Sequence, residues 1–322
     1  MLELFLLWLT LCQTKGEGMS TVRTTPHYTY YHRGSEHDVQ APTRGGLALV
    51  GGSTDVDEVF TWMADRGGNG DFLVLRGSGS DGYQEYIDEI AEVNSVSTVV
   101  LKESEAADDP FVLDKVRNAE AIFFAGGDQW NYVGKWKDTP LLRELNQALL
   151  DGVPMGGTSA GLAILGEHVF SAETSTITSE QALKEPYHPA ITLESEFLSA
   201  PNLENVITDS HFSERDRMGR LVTFMSRLQA DFDLTEVKGI GVDERTAVLV
   251  SPDGSSVTHG EGAAHFVRAY QKPTKISPGE PLSHRSLESW AVSDEQSFDL
   301  STWSSEDVEP QAITVSEGIL NP

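Results

Sequence analysis

Residues 153–161 read VPMGGTSAG, and a second apolar run, LAIL, follows at residues 162–165. An apolar strand that turns into a helix through small residues around a central serine is a nucleophile elbow, which holds the serine in strained backbone. A helix that begins at Ala160 would also place free N–H groups beside an oxyanion. The stretch therefore predicts a strand, a sharp turn and a helix, with Ser159 as a candidate nucleophile. A purely structural turn is the alternative.

Short apolar runs alternate with helical patterns on the N-terminal side of this stretch. Buried strands are predicted at residues 47–50, 72–75, 98–101 and 121–124, with helices after each of them. Thr54 or Asp55 is the expected N-cap of the first helix. Alternating strands and helices predict an α/β fold with a mostly parallel sheet and helices on both faces. The active site of such a sheet lies beyond the carboxyl ends of its strands.

A nucleophilic serine needs a base, and the base needs a carboxylate that orients it. Of the nine histidines, His211 is the best candidate because it follows a predicted strand at residues 206–208 amid dense polar residues. A structural histidine is the alternative. The next predicted strand, residues 238–242, ends in Asp243 and Glu244. Only one of these should face His211, because successive residues of an extended chain point to opposite sides. The order Ser, His, carboxylate differs from that of α/β-hydrolases.

Three arginines, Arg215, Arg217 and Arg220, follow the candidate base. Their guanidinium groups suit a carboxylate of an acidic substrate. Pairing with this protein's own acidic residues at a helix start is the alternative, and composition favours it. The turn at residues 126–129 lacks the Gly-x-Gly-x-x-Gly pattern, and no P-loop or His-Glu-x-x-His motif occurs. We therefore expect neither a cofactor nor a catalytic metal.

The composition is strongly acidic, with 50 Asp and Glu, 23 Lys and Arg, and a formal net charge of −27. Nucleic acid is an unlikely partner on this ground, because a phosphate-binding surface needs clustered cations. The acidity would suit cationic substrates or a salty environment, but simple solubility is the favoured explanation. Cys12 is the only cysteine, so the chain has no internal disulfide and no cysteine-rich zinc site.

Both ends of the chain differ from the middle, and four regions are predicted. Residues 1–18 contain an apolar run too short to span a bilayer, which predicts a secretory signal and a secreted protein without a membrane span. Residues 19–44 read as a polar arm without regular secondary structure, whose three histidines are not a metal site. Residues 45–272 form the catalytic domain. Residues 273–322 read as a disordered or loosely docked acidic tail, with nine Asp and Glu and one Arg from Glu280 onward.

These motifs together resemble the cyanophycinase branch of the S51 serine peptidases, which are relatives of the aspartyl dipeptidase peptidase E. The match is carried by residues 47–52, 123–129, 156–161, and 209–221 with 239–247. These blocks stand in the family's order. The resemblance implies a flavodoxin-like α/β fold related to class I glutamine amidotransferases, and makes a homodimer plausible.

The resemblance also implies roles for individual residues. Ser159 would be the nucleophile, His211 the base and Glu244 the orienting acid, with the amides of Gly127 and Ala160 as the oxyanion hole. Other positions would hold the aspartyl backbone and arginyl branch of the substrate, namely Gln129, Asp209, Ser210, Arg215, Arg217 and Arg220. The family cuts cyanophycin, a poly-aspartate with arginine on each side-chain carboxyl, and releases β-aspartyl-arginine dipeptides.

The expected function is a serine-type exopeptidase that hydrolyses β-aspartyl bonds of an aspartyl- and arginyl-rich peptide through an acyl-enzyme. Ser210 stands where cyanophycinases usually carry Gln, and its shorter side chain leaves part of the pocket unfilled. The exact substrate therefore stays open. An aspartyl dipeptidase or esterase with the same triad is one alternative, and a non-catalytic secreted binding protein is another.

Overall fold

A computed structural model describes residues 21–321 of the chain. The predicted signal segment, residues 1–18, lies outside the described residues. The strands, in chain order, are β1 (Thr21–Thr24), β2 (Tyr28–Gly34), β3 (Leu47–Val50), β4 (Asp71–Arg76), β5 (Ser95–Leu101), β6 (Ala121–Phe124), β7 (Met155–Thr158), β8 (His168–Phe170), β9 (Leu193–Ser195), β10 (Val206–Asp209), β11 (Val237–Val242), β12 (Thr246–Val250), β13 (Ser255–Gly260), β14 (Ala263–Ala269), β15 (Lys275–Ser277), β16 (Glu280–Ser293), β17 (Ser297–Asp299), β18 (Gln311–Ser316) and β19 (Ile319–Asn321).

The helices are shorter and lie mostly between these strands. They are α1 (Asp57–Arg66), α2 (Gln84–Ile90), α3 (Pro110–Arg117), α4 (Trp130–Trp136), α5 (Pro140–Leu150), α6 (Ala160–Ala163), α7 (Ser179–Lys184) and α8 (Met218–Asp231), with a 3₁₀ helix at Ser104–Asp108. Side-chain caps begin several of them: Asp109 and Thr139 each precede a proline at the first helical turn of α3 and α5. Helix α1 instead begins after Val56 without a side-chain cap, so the expected capping role of Thr54 or Asp55 is wrong.

The first sheet has a parallel core in the order β5-β4-β6-β7-β3. Its strands are buried apolar runs, and alternate side chains point to opposite faces. Leu47 and Leu49 pack on the side of α3 and α5, whereas Ala48 and Val50 pack on the side of α1 and α2. The predicted α/β fold with helices on both faces is therefore confirmed, and antiparallel strands flank the parallel core.

The second sheet runs in the order β19-β18-β16-β14-β11-β10-β8-β9. Within it β10 pairs in parallel with β11 and with β8, and the other pairings along this order are antiparallel. Helix α8 packs against this sheet through Leu221, Met225 and Leu228. The carboxyl ends of β10 and β11 consequently lie side by side.

The expectation that residues 19–44 lack regular secondary structure is wrong for residues 21–34. Strand β2 pairs with β5 along its full length, with Tyr28 opposite Leu101. The aromatic residues of this segment supply its packing: Tyr28 stacks on Phe111 with ring centroids 5.9 Å apart, and Tyr30 meets the same ring edge-on. Burial of alternate aromatic side chains makes this segment an added strand of the sheet.

The expected acidic tail is likewise an ordered part of the fold. Strand β16 buries Leu287, Trp290 and Val292 and leaves the residues between them more exposed, a pattern that the acidity of the whole tail conceals. Beyond it, Phe298 stacks on Phe266 of β14 with ring centroids 3.8 Å apart. The tail therefore contributes aromatic residues to the main core.

Within residues 21–321, the helices are all too short or too polar to cross a membrane.

Candidate active site

The predicted elbow forms the turn between β7 and α6. Ser159 has φ 55° and ψ −112°, a conformation that residues with a side chain rarely adopt. A Cβ on Gly157 would lie 2.4 Å from the backbone of Gly161, so glycine is needed for this close approach. Helix α6 spans only Ala160–Ala163. It therefore offers the amides of a single turn instead of the summed dipole of a long helix.

Three side chains at this edge form a continuous chain of hydrogen bonds. Ser159 Oγ lies 2.8 Å from His211 Nε2, and His211 Nδ1 lies 2.7 Å from Glu244 Oε1. His211 follows β10 and Glu244 follows β11, so the parallel pairing of these strands brings the two residues together. His211 also has a positive φ of 45°. The order of contacts is that of a nucleophile, a base and an orienting acid.

Asp243, the other candidate acid, points away from His211. Its Oδ1 accepts a hydrogen bond of 2.9 Å from the Ser213 amide, and its Oδ2 accepts one of 3.1 Å from the Ala263 amide. Burial raises the pKa of Asp243, but hydrogen bonds from His265 and Ser213 outweigh it and hold the pKa at about 2. Asp243 thus fixes the segment that follows His211, and Glu244 alone of the two faces the imidazole.

The surroundings of His211 favour a neutral ring. Burial lowers its pKa, the hydrogen bond to Glu244 raises it, and the nearby cations Arg215 and Arg217 lower it, with a net lowering. A neutral imidazole that donates its Nδ1 proton to Glu244 leaves Nε2 as an acceptor for the serine proton. The hydrogen bond from His211 in turn lowers the pKa of Glu244, which keeps this acid ionised.

The two amides predicted as an oxyanion hole flank the serine. Gly127 has φ 146°, a conformation open to glycine. A Cβ on the preceding Gly126 would lie 3.4 Å from Ser159 Cβ, which measures how closely this turn approaches the elbow. Within residues 21–321, the amides of Gly127 and Ala160 donate no backbone hydrogen bond outside helices and strands. Both donors are therefore available to a ligand.

Asp209, Arg217 and Arg220 form a buried ionic cluster in the wall beside the triad. Arg220 holds Asp209 with two hydrogen bonds, Nε to Oδ2 at 2.7 Å and Nη2 to Oδ1 at 2.5 Å. Arg217 Nη1 lies 3.2 Å from the same Oδ1 and donates to the Ser210 carbonyl at 2.6 Å. Burial lowers the pKa of Arg217 to about 10, so it remains a cation at neutral pH. These residues bind one another, as the alternative interpretation of the arginines predicts.

The remaining predicted residues are held less tightly. Gln129 donates through Nε2 to the Phe170 carbonyl at 3.2 Å. Ser210 is buried, with its hydroxyl 3.5 Å from Arg217 Nη1. Arg215 is exposed, and its side chain forms no salt bridge with any described residue. Arg215 is thus the arginine of the three that is available to pair with an incoming anion.

A cavity of about 400 Å³ joins these groups. Its wall includes Ser159 and His211, the two residues predicted to form an oxyanion hole, Gln129, Ser210, Asp209 and the three arginines. Glu244 stands behind His211, outside the lining. The loop at residues 172–176 completes the wall and adds the exposed carboxylate of Glu173. No motif marks this loop in the sequence, so its part in the cavity was not predicted.

A model of peptidase family S51 matches residues 76–258, more than half of the chain. The chain belongs to peptidase family S51. The match includes Ser159, His211 and Glu244, which the structure brings into hydrogen-bonding contact.

Several curated relatives of the chain carry the name cyanophycinase. The protein of Geminocystis herdmanii (strain PCC 6308) is 31% identical over 177 residues, which cover 53% of this chain and 59% of that protein. The protein of Synechococcus elongatus is 27% identical over 215 residues, or 65% of this chain and 62% of that protein. The chain therefore aligns with about three fifths of the length of these curated relatives.

A solved structure shares the fold. The crystal structure of a peptidase from an acI-B1 Actinobacterium has a TM-score of 0.53 and 20% sequence identity, and the similarity covers 81% of this chain and 98% of that one. At this identity the likeness supports the α/β architecture alone.

Proposed function

We propose that this S51 protein is a serine-type exopeptidase that hydrolyses β-aspartyl peptide bonds of a cyanophycin-like substrate. Ser159 is the nucleophile, His211 the base and Glu244 the acid that orients it. The observation that carries the proposal is the pair of contacts, 2.8 Å and 2.7 Å long, that links these side chains at the wall of an open polar cavity.

Acylation begins when Ser159 Oγ forms a bond to the carbonyl carbon of the substrate and His211 Nε2 takes the hydroxyl proton. The carbonyl oxygen becomes an oxyanion, to which the amides of Gly127 and Ala160 donate hydrogen bonds. Glu244 stabilises the imidazolium. The C–N bond then breaks, the imidazolium gives its proton to the leaving amine, and an ester on Ser159 remains.

Deacylation repeats these steps with water. His211 takes a proton from the attacking water, the same amides bind the second oxyanion, and the proton returns to Ser159 Oγ as the ester bond breaks. The product is a carboxylic acid. A neutral His211 is required at the start of both halves, which is the state that its burial and the nearby arginines favour.

The charges of the cavity support an aspartyl- and arginyl-containing substrate. Arg215 is available for a carboxylate, and Glu173 on the facing loop is available for a guanidinium group. Asp209 is occupied by Arg217 and Arg220, so its role is to fix the direction of those cations. A β-aspartyl-arginine unit offers both charges, and the relatives named cyanophycinase agree with this choice.

A substrate panel tests the proposal. Cyanophycin, an α-aspartyl dipeptide and p-nitrophenyl acetate are incubated separately with wild-type protein, with Ser159→Ala and with Ser104→Ala. Ser104 is an exposed serine of the 3₁₀ helix and serves as the control. We expect wild type and Ser104→Ala to release β-aspartyl-arginine from cyanophycin and Ser159→Ala to release none. Equal hydrolysis by wild type and Ser159→Ala would contradict the proposal.

A second candidate is an aspartyl dipeptidase or esterase with the same triad. The observation that favours it is the short side chain of Ser210, whose hydroxyl reaches only Arg217 and leaves room in the cavity. Preferred cleavage of the α-aspartyl dipeptide or of the ester, still dependent on Ser159, would select this function instead.

A further inference from the structure

The loop between β3 and α1 lies beneath the triad and outside the lining of the cavity. Its residues 51–55 belong to none of the roles assigned above. Nevertheless they contact the segments that carry the base and the acid, and they directly follow Val50, whose carbonyl accepts a hydrogen bond from the Ser159 amide. We call residues 51–55 the cradle loop.

The cradle loop meets the base through its two glycines. The Gly51 carbonyl accepts a hydrogen bond of 2.8 Å from the His211 amide. Gly52 has φ 110°, and a Cβ there would lie 2.5 Å from His211 Cε1 and 2.7 Å from Nε2. The imidazole therefore occupies the space that a side chain at residue 52 would fill. Its Nε2 is the atom that contacts Ser159.

The same loop holds the acid and its neighbours. The Gly52 carbonyl accepts a hydrogen bond of 2.9 Å from the Arg245 amide, and the Gly51 amide donates one of 2.9 Å to the Thr246 carbonyl. These bonds fix the backbone on the C-terminal side of Glu244. The hydrogen bond from His211 lowers the pKa of Glu244. The base thus holds the carboxylate of the acid, and the loop holds the backbone that follows it.

The residue directly before the loop contacts the nucleophile elbow, because the Ser159 amide donates a hydrogen bond of 3.0 Å to the Val50 carbonyl. The far end of the loop is fixed by Asp55, which accepts a hydrogen bond of 2.7 Å from the Tyr83 hydroxyl. Burial raises the pKa of Asp55, and the hydrogen bond from Tyr83 only partly offsets this.

We propose that the cradle loop positions the triad and that the missing side chain of Gly52 sets the place of the His211 ring relative to Ser159. This inference rests on the proposed function, because it requires Ser159 and His211 to react together. The loop residues are positioning residues: they touch the triad and its backbone, and they do not line the cavity that receives the substrate.

Two glycines that flank β3 allow a matched test. Gly46 precedes β3 with φ 118°, and a Cβ there would lie 2.6 Å from a ring carbon of Trp62, at the end of the strand remote from the site. Gly46→Ala and Gly52→Ala therefore introduce similar strain and similar crowding. The measurements are the thermal unfolding temperature and the labelling of Ser159 by a fluorophosphonate, resolved into the binding constant KI and the maximal rate kinact.

We expect both variants to lose thermal stability, and only Gly52→Ala to lose reactivity, by about 10²-fold in kinact with KI unchanged, because a displacement of about 1 Å costs that much. Equal kinact in the two glycine variants would contradict the positioning role of the cradle loop and would leave the proposed triad unaffected. Failure of wild-type Ser159 to label would instead contradict the proposed function itself.

Discussion

The triad and the ionic cluster of Asp209, Arg217 and Arg220 lie beside the same cavity but are built differently. Asp209 is 3% exposed, and its two oxygens receive three hydrogen bonds from the arginines. Glu244 has a side chain that is 21% exposed and gives a single oxygen to His211. One carboxylate is saturated and buried, whereas the other is lightly held beside a titratable ring.

This difference separates stability from reactivity. In a buried ion cluster each charged group already has its hydrogen-bond partners. The orientation of the guanidinium groups is therefore fixed, and little freedom is left for proton transfer. The triad contains few hydrogen bonds, and two of its residues, Ser159 and His211, have strained backbone conformations. Such strain is concentrated at active sites, where it helps to hold side chains in a reactive geometry. We therefore expect mutations in the triad to change rate, and mutations in the ionic cluster to change folding.

The largest effect is expected for Glu244→Gln. The amide retains the size of the side chain but no longer stabilises the imidazolium, so kcat should fall roughly 10²- to 10⁴-fold. The free energy of unfolding should stay close to wild type, since Glu244 is partly exposed. Steady-state kinetics and urea unfolding measure the two quantities. A folded variant with full activity would mean that the triad and the ionic cluster do not differ in the proposed way.

Asp209→Asn comes next and should act on folding. The variant leaves two buried guanidinium groups without their counter-charge, which costs about 3–5 kcal/mol of unfolding free energy. Asp231→Asn is the matched control, because Asp231 pairs with Arg227 at the more exposed i,i+4 spacing of α8, where about 1 kcal/mol or less is expected. Urea unfolding of both variants gives the comparison. Equal losses would show that burial of the cluster does not matter.

The smallest effect is expected for Arg215→Gln, because Arg215 is exposed and acts on His211 through its charge. Arg215 lowers the pKa of His211, so its removal raises this pKa. Because the proposed mechanism requires a neutral imidazole, the acid limb of the labelling rate against pH should move to higher pH, by less than about one pH unit. High salt should shrink the difference, and Arg227→Gln serves as a remote control. A shift to lower pH would contradict the proposed electrostatic effect of Arg215 on His211.

The core of the fold was predictable because its strands are short apolar runs bounded by glycine. The runs at residues 47–50 and 121–124 coincide with β3 and β6. The ordered ends were not predictable in the same way. In β16 the buried residues Leu287, Trp290 and Val292 are spaced by three and then two residues, so the regular period of a strand is interrupted, and the acidity of the tail as a whole conceals its apolar side. Such a strand is recognised only once its partners β14 and β18 are known.

The candidate site was predictable to a similar depth. Ser159 and His211 stand directly after strands, in positions that local sequence identifies, and the two adjacent acids were correctly expected to point apart. The contacts of Gly52 with His211 and of Asp55 with Tyr83 depend on which loops meet in space. No local pattern encodes such contacts, so Asp55 read as a helix cap although its carboxylate binds Tyr83.

The most direct test of the central claim is peptide mass spectrometry after treatment with a fluorophosphonate. The account predicts one adduct, on the peptide that contains Ser159, formed rapidly by wild type and at least about 10²-fold more slowly by His211→Ala. An adduct on another serine, or equal labelling of Ser159 with and without the imidazole, would contradict a nucleophile activated by His211.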